Sequence, residues 1–584
     1  MLHLFDFSSG QASGVRDQGS GVPTEVTRSL PLAVLSQTTL LKRLRSPLIS
    51  GSAVLLIAVL ASAFPANSPK FLPDDPVWQD PDRMTIPQPP KLDISKGFDL
   101  LENTFGHPGG DPQQPAVNTN TLGEVPDSSW YTNRMSLRQM SLEEVVRGPN
   151  RSEGPDLSAP WSITEAKSEG ITPGFIIKDG AGRSFVIKFD PLTNPQMTTS
   201  AEVIGTKFFY AFGYHVPENY LTSIIRQQLK VGPTAVIEDK EGRKRRLKDE
   251  DVTAVLKKVP KREDGSMQVM ASLYLSGKPV GYFRYHGTRS DDPNDIFPHE
   301  DRRELRGLGV FAAWLNHNDS DAANTLDMYV TEGEQKYIKH HLIDFGTVMG
   351  SGAHEPHARR AGNEYYLEMG PTLRSALTLG IWDRSWRYWD YPDYPSIGRF
   401  ESTHFRPELW KPDYPHPSYV RMQNTDAFWA TRIVARFNDD LVRAAVRTGK
   451  LADHSAEDFL IKALIERRDK ILRYYLAQLN PLDEFKIAGS TLEFKNLGVA
   501  HGLAQVERYE YQWFRFDNQQ QATHELGAVR SATSPSLPIP DDSSPFLMVR
   551  ISSISPTQKN WSKKVEVYLR NASSKSVVGI ERQN

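Results

Sequence analysis

The sequence predicts an α+β chain: a strand-rich region, then a helical region, then a small β domain at the C-terminus. Short apolar and alternating runs cluster in residues 163–285. Helical periodicity of 3.6 residues marks Leu305 to Leu315 and at least two segments within 426–475. Past Arg508 short strands return as "YEYQWFRFD", "FLMVRISSI" and "VEVYLR".

The bulk composition fits this division. The chain has 584 residues, 39 % hydrophobic and 24 % charged, which is globular and too long for one core of about 250–300 residues. A formal net charge of −2 supplies no basic field to recruit nucleic acid or an anionic membrane. The absence of cysteine excludes disulfides, a thiolate nucleophile, Cys-ligated metal and a lipid-anchored cysteine.

Residues 1–66 read as an N-terminal extension and signal peptide. In "LKRLRSPLISGSAVLLIAVLASAFPA", Lys42, Arg43 and Arg45 precede an apolar run at 49–64 with small residues at Ala61 and Ala63. The working start is expected near Leu41. The run is shorter than the roughly 20 residues that span a bilayer. Secretion or periplasmic export is therefore expected, the alternative being an uncleaved single-pass anchor with the domain outside. Membrane contact would then be confined to this segment.

A proline-rich leader, 67–160, is expected to run extended over the core. Region 161–285 opens with "GFIIKDGAGRSFVIKFD", a hairpin whose second strand carries Lys188. "TTSAEVIGTKFFYAFGYHVPE" is a helix with Thr199 or Ser200 as N-cap, Val203, Ile204, Phe208 and Ala211 buried, and Gly213 at its end. The charge run "EGRKRRLKDED" reads as a solvated hairpin tip.

Region 286–485 is helical with one hairpin. "SDDPNDIFPHE" is either substrate-facing or a turn into the helix "HEDRRELRGLGVFAAWLNH", whose buried face holds Leu305, Leu308, Phe311 (or Ala312) and Leu315. "WLNHNDSDAANTLDMYV" is a polar loop entering a hairpin whose second strand ends at Asp344. The aromatics of "IWDRSWRYWDYPDYP" are expected chiefly to buttress the core. His354 and His357 in "SGAHEPH" lack the helical support of a metal pair. A β-rich domain is expected over 500–584.

The chemistry concentrates in a few residues. Lys188 within an apolar strand needs an anionic partner or a phosphate, and Glu202 on the next helix is a candidate partner. His317, Asp319 and Asn324 crowd one loop, with Asp344 at the end of the hairpin that follows. Ordinary turn and cap duty is the competing reading for these side chains.

Strand lysine, helix glutamate, "HNDSDAAN" and "LIDFG", in that order, resemble the protein-kinase fold over about residues 160–480. "AEVIGTKFFYAFGYHVPE" and "GITPGFIIKD" are similar to segments of HipA-type serine/threonine kinases. "VPDSSWYTNR", "GTRSDDPNDIFPHEDRRELRGL" and "HHLIDFGT" are similar to strings in a group of large exported bacterial proteins, a likeness that carries no activity with it. The kinase resemblance implies a β-rich N-lobe, a helical C-lobe, and ATP with Mg²⁺ or Mn²⁺ as cofactors. It implies Lys188, held by Glu202, on the nucleotide phosphates, with Gly170 and Gly174 in the phosphate loop. Asn324 and Asp344 would hold the metal, and Asp319 would accept the proton of a protein or small-molecule hydroxyl acceptor. His317 would support the loop through backbone hydrogen bonds.

Three departures set this chain apart from that pattern. Asp321 stands where protein kinases usually carry lysine, the phosphate loop has only two glycines, and no Ala-Pro-Glu follows "LIDFG". They favour the alternative of a non-catalytic, pseudokinase-like binding or scaffold protein of the cell envelope.

Overall fold

Residues 68–109, 113–167, 173–238, 243–379 and 382–584 are described by a computed structural model of the chain. The segment read above as a signal peptide and Gly170 lie outside them. The described residues are mixed α+β, with several sheets and 11 α-helices. Residues 71–516 and 523–584 form one compact unit, and residues 68–70 with 517–522 belong to another, in which Lys70 N donates to Asn518 O.

The leader is anchored by side chains. Helix α1 (Lys96–Leu101) runs on into a π-helical turn, Glu102–Gly106. Helix α2 (Leu142–Arg147) opens on a capping box between Ser141 and Glu144. Between them Trp130, Tyr131 and Met135 enter the main core, and Tyr131 donates its hydroxyl to Phe212 O at 2.8 Å.

Seven strands form the first sheet: β1 (Trp161–Lys167), β2 (Gly174–Lys178), β3 (Ser184–Lys188), β4 (Asn219–Ile224), β5 (Leu229–Glu238), β6 (Lys244–Arg246) and β7 (Met267–Leu273). Their order is β4-β7-β3-β2-β1-β5-β6, antiparallel except for β1 against β5. Alternate residues, among them Ile163, Ile177, Phe185, Ile187 and Val269, fill one core, as period-two side-chain placement requires. Helix α3 (Met197–Phe212) follows β3. It starts earlier than its sequence suggests, so Thr199 and Ser200 sit inside its first turn. The orphan amide of Thr199 is taken by Asp190 Oδ1 at 2.9 Å, a cap from the preceding loop that no local N-cap pattern encodes. The charge run is not wholly a hairpin tip: its tail opens helix α4 (Asp249–Leu256), because Val252 and Leu256 reach the sheet core.

Strands β8 (Lys278–Gly281), β9 (Thr325–Glu332) and β10 (Gln335–Leu342) make a second sheet, in which β9 and β10 pair from Thr325↔Leu342 to Glu332↔Gln335. Helix α5 (Arg303–Leu315) is buried on every face rather than along one stripe. Its polar residues are absorbed by ion pairs: Arg303 and Arg306 both reach Asp426. Asp292, Asn294, Asp295 and Glu300 of the acidic stretch before it are buried too. Asp295 pairs with His299 at 2.7 Å and Arg302 at 3.2 Å, so this segment is an internal brace.

Helices α6 (Met369–Leu377) and α7 (Pro417–Val420) flank the aromatic segment. Trp382, Trp386, Tyr388 and Trp389 are half-buried or exposed there, with Arg374 over the Trp382 ring, whereas Tyr394 of the same stretch packs against the core beside Phe459. Helices α8 (Asn424–Ala435), α9 (Asp439–Arg447) and α10 (His454–Tyr475) complete the helical core. The run from Asp426 breaks at Asn438, whose side chain caps α9 through Leu441 N. Trp314 donates to Leu464 O, and Arg467 donates back to Trp314 O, locking α5 to α10.

The C-terminal β region begins at Leu482. Strands β11 (Leu482–Ala488), β12 (Thr491–Asn496) and β16 (Ser536–Pro538) form one sheet. Strands β13 (Arg508–Asp517), β14 (Ala522–Glu525), β15 (Arg530–Ala532), β17 (Phe546–Ile554), β18 (Val565–Asn571) and β19 (Lys575–Arg582) form the other. Among the described residues no helix is long and apolar enough to cross a membrane.

Candidate functional site

The end of β3, the second turn of α3 and the turn after β10 converge on one buried ammonium. Lys188 Nζ lies 3.1 Å from Glu202 Oε2 and 2.7 Å from Asp344 Oδ1. Burial alone would lower the lysine's proton affinity; the charges of Asp344 and then Glu202 overcome it and hold the amine above its ordinary range. Glu202 uses its other oxygen for Phe345 N at 2.9 Å and Asn219 Nδ2 at 3.3 Å. One carboxylate thus ties strand, helix and post-hairpin turn together. Asp344 itself sits at φ 60°, ψ 64°, a left-handed conformation that aspartate tolerates better than most residues.

The loop 316–324 supplies the facing wall. Ile343 N donates to Asn324 O, so Asn324 and Asp344 lie on neighbouring stretches of chain. Asn324 Nδ2 donates to Asp319 O, which turns the amide oxygen of Asn324 away from that contact. Asn318 Nδ2 donates to Asp413 Oδ1 at 2.9 Å, and Ala323 N to Asp321 Oδ1 at 2.9 Å. Asp319 and Asp321 are both buried and share a single cation, Lys96 of α1: its Nζ is 3.0 Å from Asp319 Oδ1 and 2.6 Å from Asp321 Oδ2. Burial and then the charge of Asp319 push Asp321 well above the usual carboxylate range. Burial also raises Asp319, but Lys96 and a hydrogen bond from Asp321 bring it below that range. Of the two acids, Asp321 therefore holds its proton the more tightly.

Three rings join these walls. Phe209 of α3 stacks on Phe345 at 4.7 Å and 17°, and His317 sits 5.5 Å from the first and 5.9 Å from the second. His317 does support the loop, but as a packed ring: its Nδ1 has no hydrogen-bond partner, and burial lowers the imidazole to about 4, leaving it neutral.

Of the two glycines, Gly170 lies outside the described residues. Gly174 pairs with Lys188 across β2 and β3, and a Cβ there would lie 2.3 Å from Ile187 O. Its missing side chain serves the close approach of two strands, a reason for glycine that stands apart from any phosphate. His357 reaches Asn318 at 3.3 Å. Among the described residues no group of three or more His, Asp or Glu side chains is arranged to hold a metal ion. Asn324 and Asp344 are hard oxygen donors of the kind Mg²⁺ takes; with only two, phosphate oxygens and water would complete the shell.

Sequence reasoning missed Lys96. Nothing in "DISKGFDLL" links it to acids more than two hundred residues away. Ser95 ahead of "KGFDLL" signals at most a helix start. Comparison of the chain with protein-family models, with curated proteins and with solved structures finds no match.

Proposed function

We propose that this chain is an exported phosphotransferase with a two-lobed, protein-kinase-like architecture, akin to HipA-type kinases. It would use ATP and Mg²⁺ or Mn²⁺ on a protein or other hydroxyl acceptor. The observation that carries the reading is the buried Lys188 ammonium held between Glu202 and Asp344, with Asn324 beside Asp344. Phosphoryl transfer asks for positioning and charge neutralisation more than for covalent help. Metal-bound ATP would supply the transferable phosphoryl group. Lys188 would exchange its contact with Asp344 for nucleotide phosphate, freeing that carboxylate for the cation. Asn324 would add its amide oxygen, and Asp319 would orient the acceptor hydroxyl and take its proton. The order of charged, apolar and small residues at 42–64 supports export.

The test is unfolding of the 67–584 chain with and without ATP·Mg²⁺. Nucleotide at 100 times its dissociation constant should stabilise the fold by about 2.7 kcal/mol. Asp344→Ala should abolish that gain. An unshifted wild type, or an Asp344→Ala chain that shifts equally, removes the basis of the proposal.

A non-catalytic binding or scaffold role is the second reading. What favours it is Asp321, a buried acid standing where protein kinases usually carry a phosphate-binding lysine. Nucleotide binding without any phosphate release would select it.

A further inference from the structure

We propose that Lys96, carried by the leader, is a positioning residue of the reaction centre: it clamps Asp319 so that one carboxylate oxygen faces the acceptor hydroxyl. The inference rests on the phosphotransferase reading and makes the leader part of the site.

The geometry divides the two oxygens of Asp319. Oδ1 receives Lys96 Nζ at 3.0 Å, while Oδ2 is buried and has no hydrogen-bond partner. A buried carboxylate oxygen left unsatisfied awaits a donor, and His317 Nδ1 and Asn318 Oδ1 of the same loop are also without partners. An acceptor O–H would be that donor. As its oxygen bonds to the terminal phosphorus of ATP, the bond from that phosphorus to the β-phosphate oxygen breaks and ADP leaves with the electron pair. The hydroxyl proton passes to Asp319 Oδ2 and later to solvent. Lys96 balances the negative charge that two adjacent acids would otherwise concentrate at the attacking oxygen.

The orientation of α1 argues that this contact is selected. The helix and the π-helical turn after it bury Asp99 and Asn103 and turn Phe98 out to 73 % exposure, with Leu101 and Phe105 also outward. Apolar burial would have rolled it the other way. Polar contacts hold it instead: Tyr414 donates its hydroxyl to Asp99 Oδ2 at 2.6 Å, and Asn103 Nδ2 donates to Asp99 O at 2.8 Å. The outcome of that roll is Lys96 on the catalytic loop.

The experiment compares wild type, Lys96→Met and Lys96→Arg in the 67–584 chain, each checked for native circular dichroism. ATP·Mg²⁺ affinity is read with a fluorescent ATP analogue, and turnover by phosphate release to water and to casein as a generic hydroxyl acceptor. Lys96→Met should keep the nucleotide dissociation constant within about twofold and lower turnover roughly 100-fold, the low end for a displaced general base. Lys96→Arg should restore at least a tenth of wild-type turnover, about the step that separates it from Met. Unchanged or raised turnover in Lys96→Met, or no recovery in Lys96→Arg, overturns the role of Lys96 while leaving the phosphotransferase reading in place. A wild type that binds no ATP·Mg²⁺ overturns both.

Discussion

Replacing Lys188 with methionine should destabilise the chain by about 3 kcal/mol. Methionine keeps most of the apolar stem, so the packing loss is small. What disappears is the cation between two carboxylates. Glu202 is 2 % exposed and loses the 3.1 Å contact to Oε2, while Oε1 keeps the amide of Phe345 and Nδ2 of Asn219. Asp344, with 23 % of its side chain exposed, can turn to water. Breaking one side of a buried pair costs about 3–5 kcal/mol; the retained hydrogen bonds and the solvent access of Asp344 set the expectation at the low end. Glu202→Gln removes the stranded charge. The double variant should therefore be about 2 kcal/mol more stable than the sum of the single effects predicts. Urea unfolding followed by tryptophan fluorescence, compared at constant slope, reads these values. A Lys188→Met chain that unfolds at the wild-type midpoint would refute the reasoning. So would single effects that add within about 0.5 kcal/mol.

Other expectations follow from the same contacts. Gly213→Ala should cost roughly 3 kcal/mol, because φ is +118° and a Cβ would lie 2.2 Å from the Tyr131 ring; a melting temperature equal to wild type would contradict it. Gly174→Ala should lower stability by about 1–3 kcal/mol through the clash with Ile187 O, and the same loss with and without nucleotide would mark the glycine as structural. The Asp295–His299 pair should give a pH-dependent contribution. Burial opposes charge on both groups, but each holds the other ionised, with His299 above its ordinary 6.5 and Asp295 below its ordinary 3.8. The histidine's share is complete below about 6.5 and lost as pH rises through its raised value. The aspartate's share is complete above about 4 and lost as pH falls through its lowered value. His299→Gln should thus destabilise the chain most between about pH 4 and 6.5, and progressively less on the alkaline side. A penalty independent of pH from 5 to 9 would show that the pair is not ionised.

Local signals were sufficient wherever chemistry and periodicity coincide. The apolar run in "SFVIK" placed Lys188 at the end of a buried strand, and Gly213 marked the end of α3 because only a residue without Cβ fits that turn beneath Tyr131. The pairing of Lys188 with Glu202 was legible for the same reason, since a lysine in an apolar strand demands an anion nearby. Contacts between distant segments were not legible. Asp190 caps α3 from outside its N-cap position, and the helical run after Asp426 is cut at Asn438, where a side chain satisfies a free amide better than continued helix would. The close approach of Ile187 O to Gly174 is a distance that no composition encodes. By itself the sequence determined the α+β order of elements and the residue types at the candidate site, because these depend on spacing along the chain. Only the tertiary structure decided that Lys96 covers Asp319 and Asp321, because ion pairing acts through space, across a separation at which the chain keeps no register.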